Sequence, residues 1–204
     1  MKVVLIALEN QYSCFGIRSL DAYLTDQGFD IKVLFPTQPV FNAIPSNENP
    51  LLGQAMLEQI LQFCRNTDLI GISLFSCDFH IAKQVTHYLK AHLDTPVVWG
   101  GKHPSALPEL ALESADMVAL GEGERPLVEL LKKMTAKEPY TDVKGIWFRQ
   151  GDTIIKNDPG KLIRNLDEIP IPEVVSERHL VCNRDHSKLI PIDAPTVLES
   201  LPES

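Results

Sequence analysis

Short apolar runs alternate with amphipathic stretches along residues 1–137. The runs that begin at Val3, Ile31, Leu69, Val97 and Met117 are rich in β-branched residues, as is typical of strands covered on both faces. Between these runs, apolar residues recur every three or four positions, as they do along one face of an α-helix. The pattern predicts an α/β protein with a flavodoxin-like, doubly wound sheet of five parallel strands in the order 2-1-3-4-5.

Three of the expected helices have residues at their ends that commonly begin or end a helix. Gly28 suits the C-terminal end of the first helix, Pro50 the first position of the second, and Asp78 the N-cap of the third. These signals and the apolar spacing predict helices over residues 16–28, 50–66, 78–93, 109–114 and 125–133.

The alternation stops after Lys137. Residues 143–149 and 153–156 flank Gln150-Gly151-Asp152 and predict a β-hairpin. Two prolines in residues 166–172 predict an extended connector, and the remaining chain shows weak periodicity. We therefore expect a Rossmann-like domain at residues 1–138, a hairpin and connector at 139–172, and a weakly structured tail at 173–204.

Composition narrows the classes of function and location. The chain has 204 residues and a net charge of -8, from 27 acidic and 19 basic residues, which argues against a nucleic-acid partner. The first apolar run is too short for a secretory signal, and no run approaches the roughly 18 apolar residues of a membrane span. The four cysteines form no CxxC motif, which favours a reducing, cytoplasmic location.

Glycines follow the fourth and fifth predicted strands. Gly100-Gly101 comes after one of these strands, and Gly121-Glu122-Gly123 comes after the next. In open parallel sheets, ligands bind just beyond the carboxyl ends of the strands, where glycine lets the backbone approach a ligand closely. The two glycine turns predict a shared binding rim.

Three segments carry a resemblance to a known family. GGKHPSALPE (100–109), ADMVALGEGE (115–124) and NLDEIPIPE (165–173) are similar to the cobalamin-binding domain at the amino terminus of B12-dependent radical S-adenosylmethionine enzymes. The resemblance covers about residues 1–172 and implies that the chain binds cobalamin, alone or as part of such an enzyme or a methyltransferase.

Two motifs of related proteins are missing. Where other cobalamin carriers have DxHxxG, this chain has QYSCFG, so Gln11 replaces the Asp and Ser13 replaces the cobalt-ligating His. Radical enzymes of this type commonly lack that motif as well. The CxxxCxxC of the iron–sulfur cluster is also absent, and Cys182 stands alone, so no cluster is expected in this chain. This polypeptide is therefore not expected to be catalytic alone, and any catalysis would need a radical S-adenosylmethionine or methyltransferase partner or a further carboxyl-terminal domain.

The resemblance also implies where the cofactor binds. Cobalamin in such domains is base-off, with its dimethylbenzimidazole tail between the sheet and the helices and its corrin across the strand ends. Ser73 and Ser76 would bond the tail, and Glu122 and Glu124 would accept from corrin amides. Tyr12 or Cys14 is a candidate to approach cobalt. The full implied set is Gln11, Tyr12, Ser13, Cys14, Gly16, Ser73, Ser76, Cys77, Gly100, Gly101, His103, Pro104, Gly121, Glu122, Gly123 and Glu124.

Ordinary structural roles compete with each of these assignments. The glycines also suit tight turns, and His103 suits a loop residue that bonds backbone. Cys14 and Cys77 also suit small apolar positions at helix starts, although a thiol there can gain thiolate character. Two other functions stay open: a flavin- or nucleotide-binding flavodoxin-like domain, and an interaction domain without a ligand. The first loop lacks the Ser/Thr-rich phosphate cradle of a flavodoxin.

Overall fold

A computed structural model of the chain describes residues 1–9, 14–37, 51–183 and 187–192. The helices are α1 (Phe15–Asp26), α2 (Gln54–Cys64), α3 (Phe79–Lys90), α4 (Lys102–Ala106), α5 (Pro108–Leu112) and α6 (Glu124–Ala136). The strands are β1 (Lys2–Ala7), β2 (Asp30–Phe35), β3 (Leu69–Ser73), β4 (Val97–Gly100), β5 (Met117–Ala119), β6 (Ile146–Gln150), β7 (Thr153–Ile155), β8 (His179–Cys182) and β9 (Leu189–Pro191).

The nine strands of the described residues join one mostly parallel sheet, in the order β7-β6-β5-β4-β3-β1-β2-β8-β9. Strands β1 to β5 are mutually parallel, and β8 pairs with β2 in parallel. The outer strands β6, β7 and β9 are antiparallel to their neighbours. The chain is therefore an α/β protein, and the predicted number of five strands is too low.

The additional strands come from both predicted appendages. The hairpin β6–β7 pairs with β5 and extends the sheet at one edge, so it does not stand apart from residues 1–138. At the other edge, Val33 to Phe35 of β2 pair with β8, which lies in the segment expected to be a weakly structured tail. Residues 173–183 and 187–192 therefore contribute two strands.

Two helices differ from their predicted extent. The helix predicted at 109–114 is α5, and a second short helix that was not predicted, α4, precedes it and is separated from it at Leu107 (φ -132, ψ 61). Pro108 explains this break, because a proline disfavours helical backbone at the residue before it. The second helix begins at Gln54. Before it, the backbone N–H and carbonyl of Leu52 each form a hydrogen bond of 2.9 Å with the side-chain amide of Gln84. The predicted start of this helix at Pro50 lies outside the described residues.

The sheet has an apolar core on each face. Val4 and Ile6 of β1 face α2 and α3, whereas Val3 and Leu5 face α1 and α6, as the two-residue period of a strand requires. Trp99 is fully buried on the first face, where its indole N–H donates to the Thr86 hydroxyl at 2.9 Å. No helix in the described ranges has the length and apolar composition needed to cross a membrane.

Buried polar and charged side chains connect β8 to α1. Nη1 of Arg18 lies 2.9 Å from Nδ1 of His179, and Nε2 of the same ring lies 2.8 Å from an Asp21 oxygen. All three side chains are buried. Nη1 of Arg18 also donates to the carbonyls of Glu173 and Val174 at 3.0 and 2.8 Å, so the chain entering β8 is fixed to α1.

Candidate functional site

A cavity of about 940 Å³ opens at the carboxyl ends of the central strands, on the face covered by α1 and α6. Its walls are the first turns of α1, the ends of β3, β4 and β5, and the turn that leads into α6. The lining includes nine residues of the predicted set, namely Cys14, Gly16, Ser73, Gly100, Gly101, Gly121, Glu122, Gly123 and Glu124. Both glycine turns border this one cavity.

The cavity exists because three adjacent strands carry very small residues on this face. Ser73 of β3 is the register partner of Gly100 of β4, and a Cβ added to Gly100 would lie 3.9 Å from that of Ala119 on β5. Two residues earlier on β3, the space is filled, since a Cβ on Gly71 would lie 2.8 Å from a methyl group of Leu5. Ser73, Gly100 and Ala119, hereafter the small-residue row, leave open the space that larger side chains would occupy.

Gly101 has a role in the backbone itself. Its φ of +100 is a conformation that residues with a Cβ rarely adopt, and an added Cβ would lie 2.8 Å from the Leu74 carbonyl oxygen. The tight-turn explanation therefore applies to Gly101 whatever the cavity binds. Gly121 also has a positive φ, +70, but faces open space.

Ser105, which the sequence did not single out, joins the two glycine turns. Its hydroxyl donates to the Gly101 carbonyl at 2.8 Å and accepts from the Gly121 N–H at 3.0 Å. The side chain also lines the cavity. Because one hydroxyl bonds a backbone group of each turn, Ser105 links the two turns at the rim.

We expect Ser105→Ala to lower the free energy of unfolding by about 1 kcal/mol, because two backbone groups lose their partner. Urea denaturation followed by circular dichroism measures this change. Ser105→Thr keeps the hydroxyl and is the matched control, with a smaller loss expected. An alanine variant as stable as the parent would show that Ser105 does not hold the turns together.

Among the described residues, three carboxylates line the cavity, and each accepts a hydrogen bond from the protein. Glu9 accepts from the Ser73 hydroxyl at 2.8 Å, and Glu124 accepts from the Ser19 hydroxyl at 3.3 Å. Glu122 accepts from the Ile163 N–H at 2.7 Å and so anchors the connector beside the rim. A carboxylate has about four acceptor positions, so these bonds leave Glu122 and Glu124 able to accept further hydrogen bonds.

The structure places Ser76, Cys77, His103 and Pro104 beside the cavity and not in its lining. His103 is buried in α4, with Nδ1 3.0 Å from the Ser76 hydroxyl and its ring 4.9 Å from that of Phe79. Burial lowers the pKa of His103 and so favours the neutral form of the ring. These contacts give Ser76 and His103 a supporting role behind the rim.

The two cysteines near helix starts differ in position. Cys14 is buried at the start of α1 and borders the cavity. Cys77 is half-buried in a short 3-10 turn (Ser76–Asp78), where burial and then the charge of Asp78 raise the pKa of its thiol. The thiolate character that a helix start can confer is therefore not found at Cys77.

Gln11, Tyr12 and Ser13 lie outside the described residues, so their predicted place beside the site stays a prediction. In the part of the chain that the structure describes, no three or more His, Cys, Asp or Glu side chains form a group that could hold a metal ion.

Fold and cavity together define an α/β domain with helices on both faces of the sheet and a cavity at the carboxyl ends of the strands, where ligands bind in doubly wound proteins. A family model of the B12 binding domain matches residues 1–131. The chain therefore belongs to the B12-binding domain family.

Solved structures and one curated relative extend this comparison. The radical S-adenosylmethionine methyltransferase TsrM from Kitasatospora setae, solved with cobalamin and an iron–sulfur cluster bound, covers 96% of this chain with a TM-score of 0.61 and 17% identity. The cobalamin-dependent radical enzyme OxsB, solved with aqua-cobalamin and S-adenosylmethionine bound, covers 85% with a TM-score of 0.66 and 20% identity. At these identities the likeness shows a shared fold.

A curated relative in sequence is an uncharacterized methyltransferase of Pyrococcus horikoshii, which is 30% identical over 109 residues, or 52% of this chain. The chain spans only part of each of these proteins: 24% of the methyltransferase, 32% of TsrM and 24% of OxsB.

Proposed function

We propose that this chain binds cobalamin base-off, with the dimethylbenzimidazole tail in the cavity and the corrin across the strand ends. The small-residue row carries this proposal, because Ser73, Gly100 and Ala119 leave a deep space between the sheet and α1. A flat aromatic tail needs such a slot, and the apolar side chains of Leu5, Ile17 and Leu127 suit its ring.

Polar residues at the cavity suit the polar parts of the cofactor. The Ser73 hydroxyl, which already donates to Glu9, retains acceptor capacity for a group bound in the slot. Glu122 and Glu124 at the rim can accept from the amide groups at the corrin edge. Cys14 and Gly16 would lie below the corrin with Gln11, Tyr12 and Ser13.

No histidine occurs among residues 9–16, so the loop between β1 and α1 offers no imidazole to the lower face of cobalt. The proposed state is therefore base-off without a protein histidine ligand from that loop.

When bound, cobalamin supplies a cobalt centre able to carry a methyl group. The residues of this chain bind and orient the cofactor, and catalysis belongs to a radical S-adenosylmethionine or methyltransferase domain, in the same polypeptide or a partner. The proteins of similar fold, TsrM and OxsB, support this assignment. We place the chain in a reducing, cytoplasmic compartment, because its four cysteines are far apart in sequence and form no CxxC motif.

An absorbance spectrum tests the proposal directly. The purified protein is incubated with hydroxocobalamin, freed of unbound ligand, and examined for retained corrinoid. We expect about one corrinoid per chain with a base-off spectrum. The spectrum should not change when each histidine is replaced in turn.

A folded protein that retains no corrinoid would overturn the proposal. Incubation with flavin mononucleotide in parallel then tests the flavodoxin-like alternative, because bound flavin changes its fluorescence. Retention of neither ligand would favour an interaction domain.

A further inference from the structure

Lys102 is the one lysine or arginine among the described residues that line the cavity. It directly follows Gly101, and its side chain is exposed at the rim. Its ammonium group lies 5.1 Å from the centre of the Phe75 ring, another residue of the lining. The aromatic face orients this cation but does not neutralise it.

The anionic groups of the cavity already have protein partners. Glu9, Glu122 and Glu124 accept hydrogen bonds from Ser73, Ile163 and Ser19, respectively. Several other lysines form ion pairs, such as Lys90 with Asp116 and Lys133 with Asp142. Across the described residues, Lys102 forms no ion pair with a carboxylate. In a chain with a net charge of -8, the rim therefore presents a single positive charge without a carboxylate partner among these residues.

Cobalamin carries one group that matches this charge. A phosphodiester joins a corrin side chain to the dimethylbenzimidazole riboside and bears one negative charge. Its position between corrin and tail corresponds to the rim of a cavity that holds the tail inside and the corrin outside. Lys102 is at that rim, beside the glycine turn of β4.

We propose that Lys102 forms an ion pair with the phosphodiester, so that the site selects corrinoids with an intact nucleotide loop over cobinamide, which lacks it. This inference rests on the proposed binding of cobalamin. It assigns to Lys102 a role in choosing between corrinoids.

Equilibrium dialysis with hydroxocobalamin and with diaquacobinamide tests this role. We expect Lys102→Met to weaken cobalamin binding about five- to tenfold, as loss of a charge-assisted contact predicts, with cobinamide affinity changed less than about twofold. Lys102→Arg should restore most of the cobalamin affinity. Added sodium chloride should weaken cobalamin binding to the parent more than to Lys102→Met, because salt screens the ion pair.

Lys32→Met is the matched control, because Lys32 is also exposed and lies 5.1 Å from a phenylalanine ring, that of Phe63, but does not line the cavity. It should leave both affinities unchanged. An equal loss for the two ligands in Lys102→Met, or no loss for either, would overturn the role of Lys102 alone. Failure of the parent to bind either corrinoid would overturn the proposed function and this inference with it.

Discussion

The Gly100→Phe variant is expected to lose cobalamin binding by at least about a hundredfold while the protein stays folded. A Cβ at Gly100 would meet only the Ala119 methyl group, at 3.9 Å, so the backbone accepts a side chain without strain. The phenyl ring then extends from the small-residue row into the cavity and occupies the space proposed for the tail. Titration of the variant with hydroxocobalamin measures the loss.

A second glycine provides the matched control for this experiment. Gly53 precedes α2, does not line the cavity, and has no atom within 4 Å of an added Cβ. Gly53→Phe should bind cobalamin like the parent. Gly101→Trp is a poorer probe, because its Cβ would press on the Leu74 carbonyl oxygen and strain the turn itself. Parent-like affinity in a folded Gly100→Phe protein would show that the tail does not enter this cavity.

Local sequence patterns predicted the central strands because each is a continuous apolar run covered by helices. They missed β8, which is only four residues long and follows an exposed stretch containing Ile171, Val174 and Val175. Its place in the sheet depends on pairing with β2 and on the buried charges of Arg18 and Asp21, both distant in sequence. Such long-range contacts leave no periodic signal near residue 179.

The candidate site was predictable to a similar degree. Glycines at two strand ends indicated a rim, and the structure brings both turns to one cavity. The depth of the cavity depends on strand register, which aligns Ser73 with Gly100. The packing of α4 against β4 and β5 decides that Ser105 reaches both turns and that His103 is buried. Motif spacing contains none of this information.

Loss of the His179 ring should produce the largest change in stability. A guanidinium group only donates, so Nδ1 of His179 accepts from Arg18, and we assign the ring proton to Nε2, which donates to Asp21. The neutral ring thus joins a buried cation to a buried anion. Without the imidazole, the buried groups of Arg18 and Asp21 each lose one hydrogen bond and gain none from water, which lowers the free energy of unfolding.

We expect His179→Phe to lower the free energy of unfolding by about 3 kcal/mol, because the substitution keeps an aromatic ring but removes both hydrogen bonds. Urea denaturation at pH 7 measures the change. His87→Phe is the control, since His87 is exposed on α3, and it should change stability by less than about 0.5 kcal/mol. A His179→Phe protein as stable as the parent would show that the two hydrogen bonds of His179 do not stabilise the fold.

The dependence of stability on pH separates the charge network from simple packing. Burial favours the neutral form of Asp21, but hydrogen bonds from His179 and Arg178 outweigh it and leave the pKa of this carboxyl below its ordinary value. In acid the unfolded chain therefore binds a proton that the folded chain does not, so the stabilisation is present above the ordinary pKa of 3.8 and is lost as the pH falls through the folded pKa. His179→Phe removes one of these hydrogen bonds, so its stability should fall less steeply than that of the parent below about pH 4. Parallel acid profiles would instead mean that Asp21 owes its lowered pKa to Arg178.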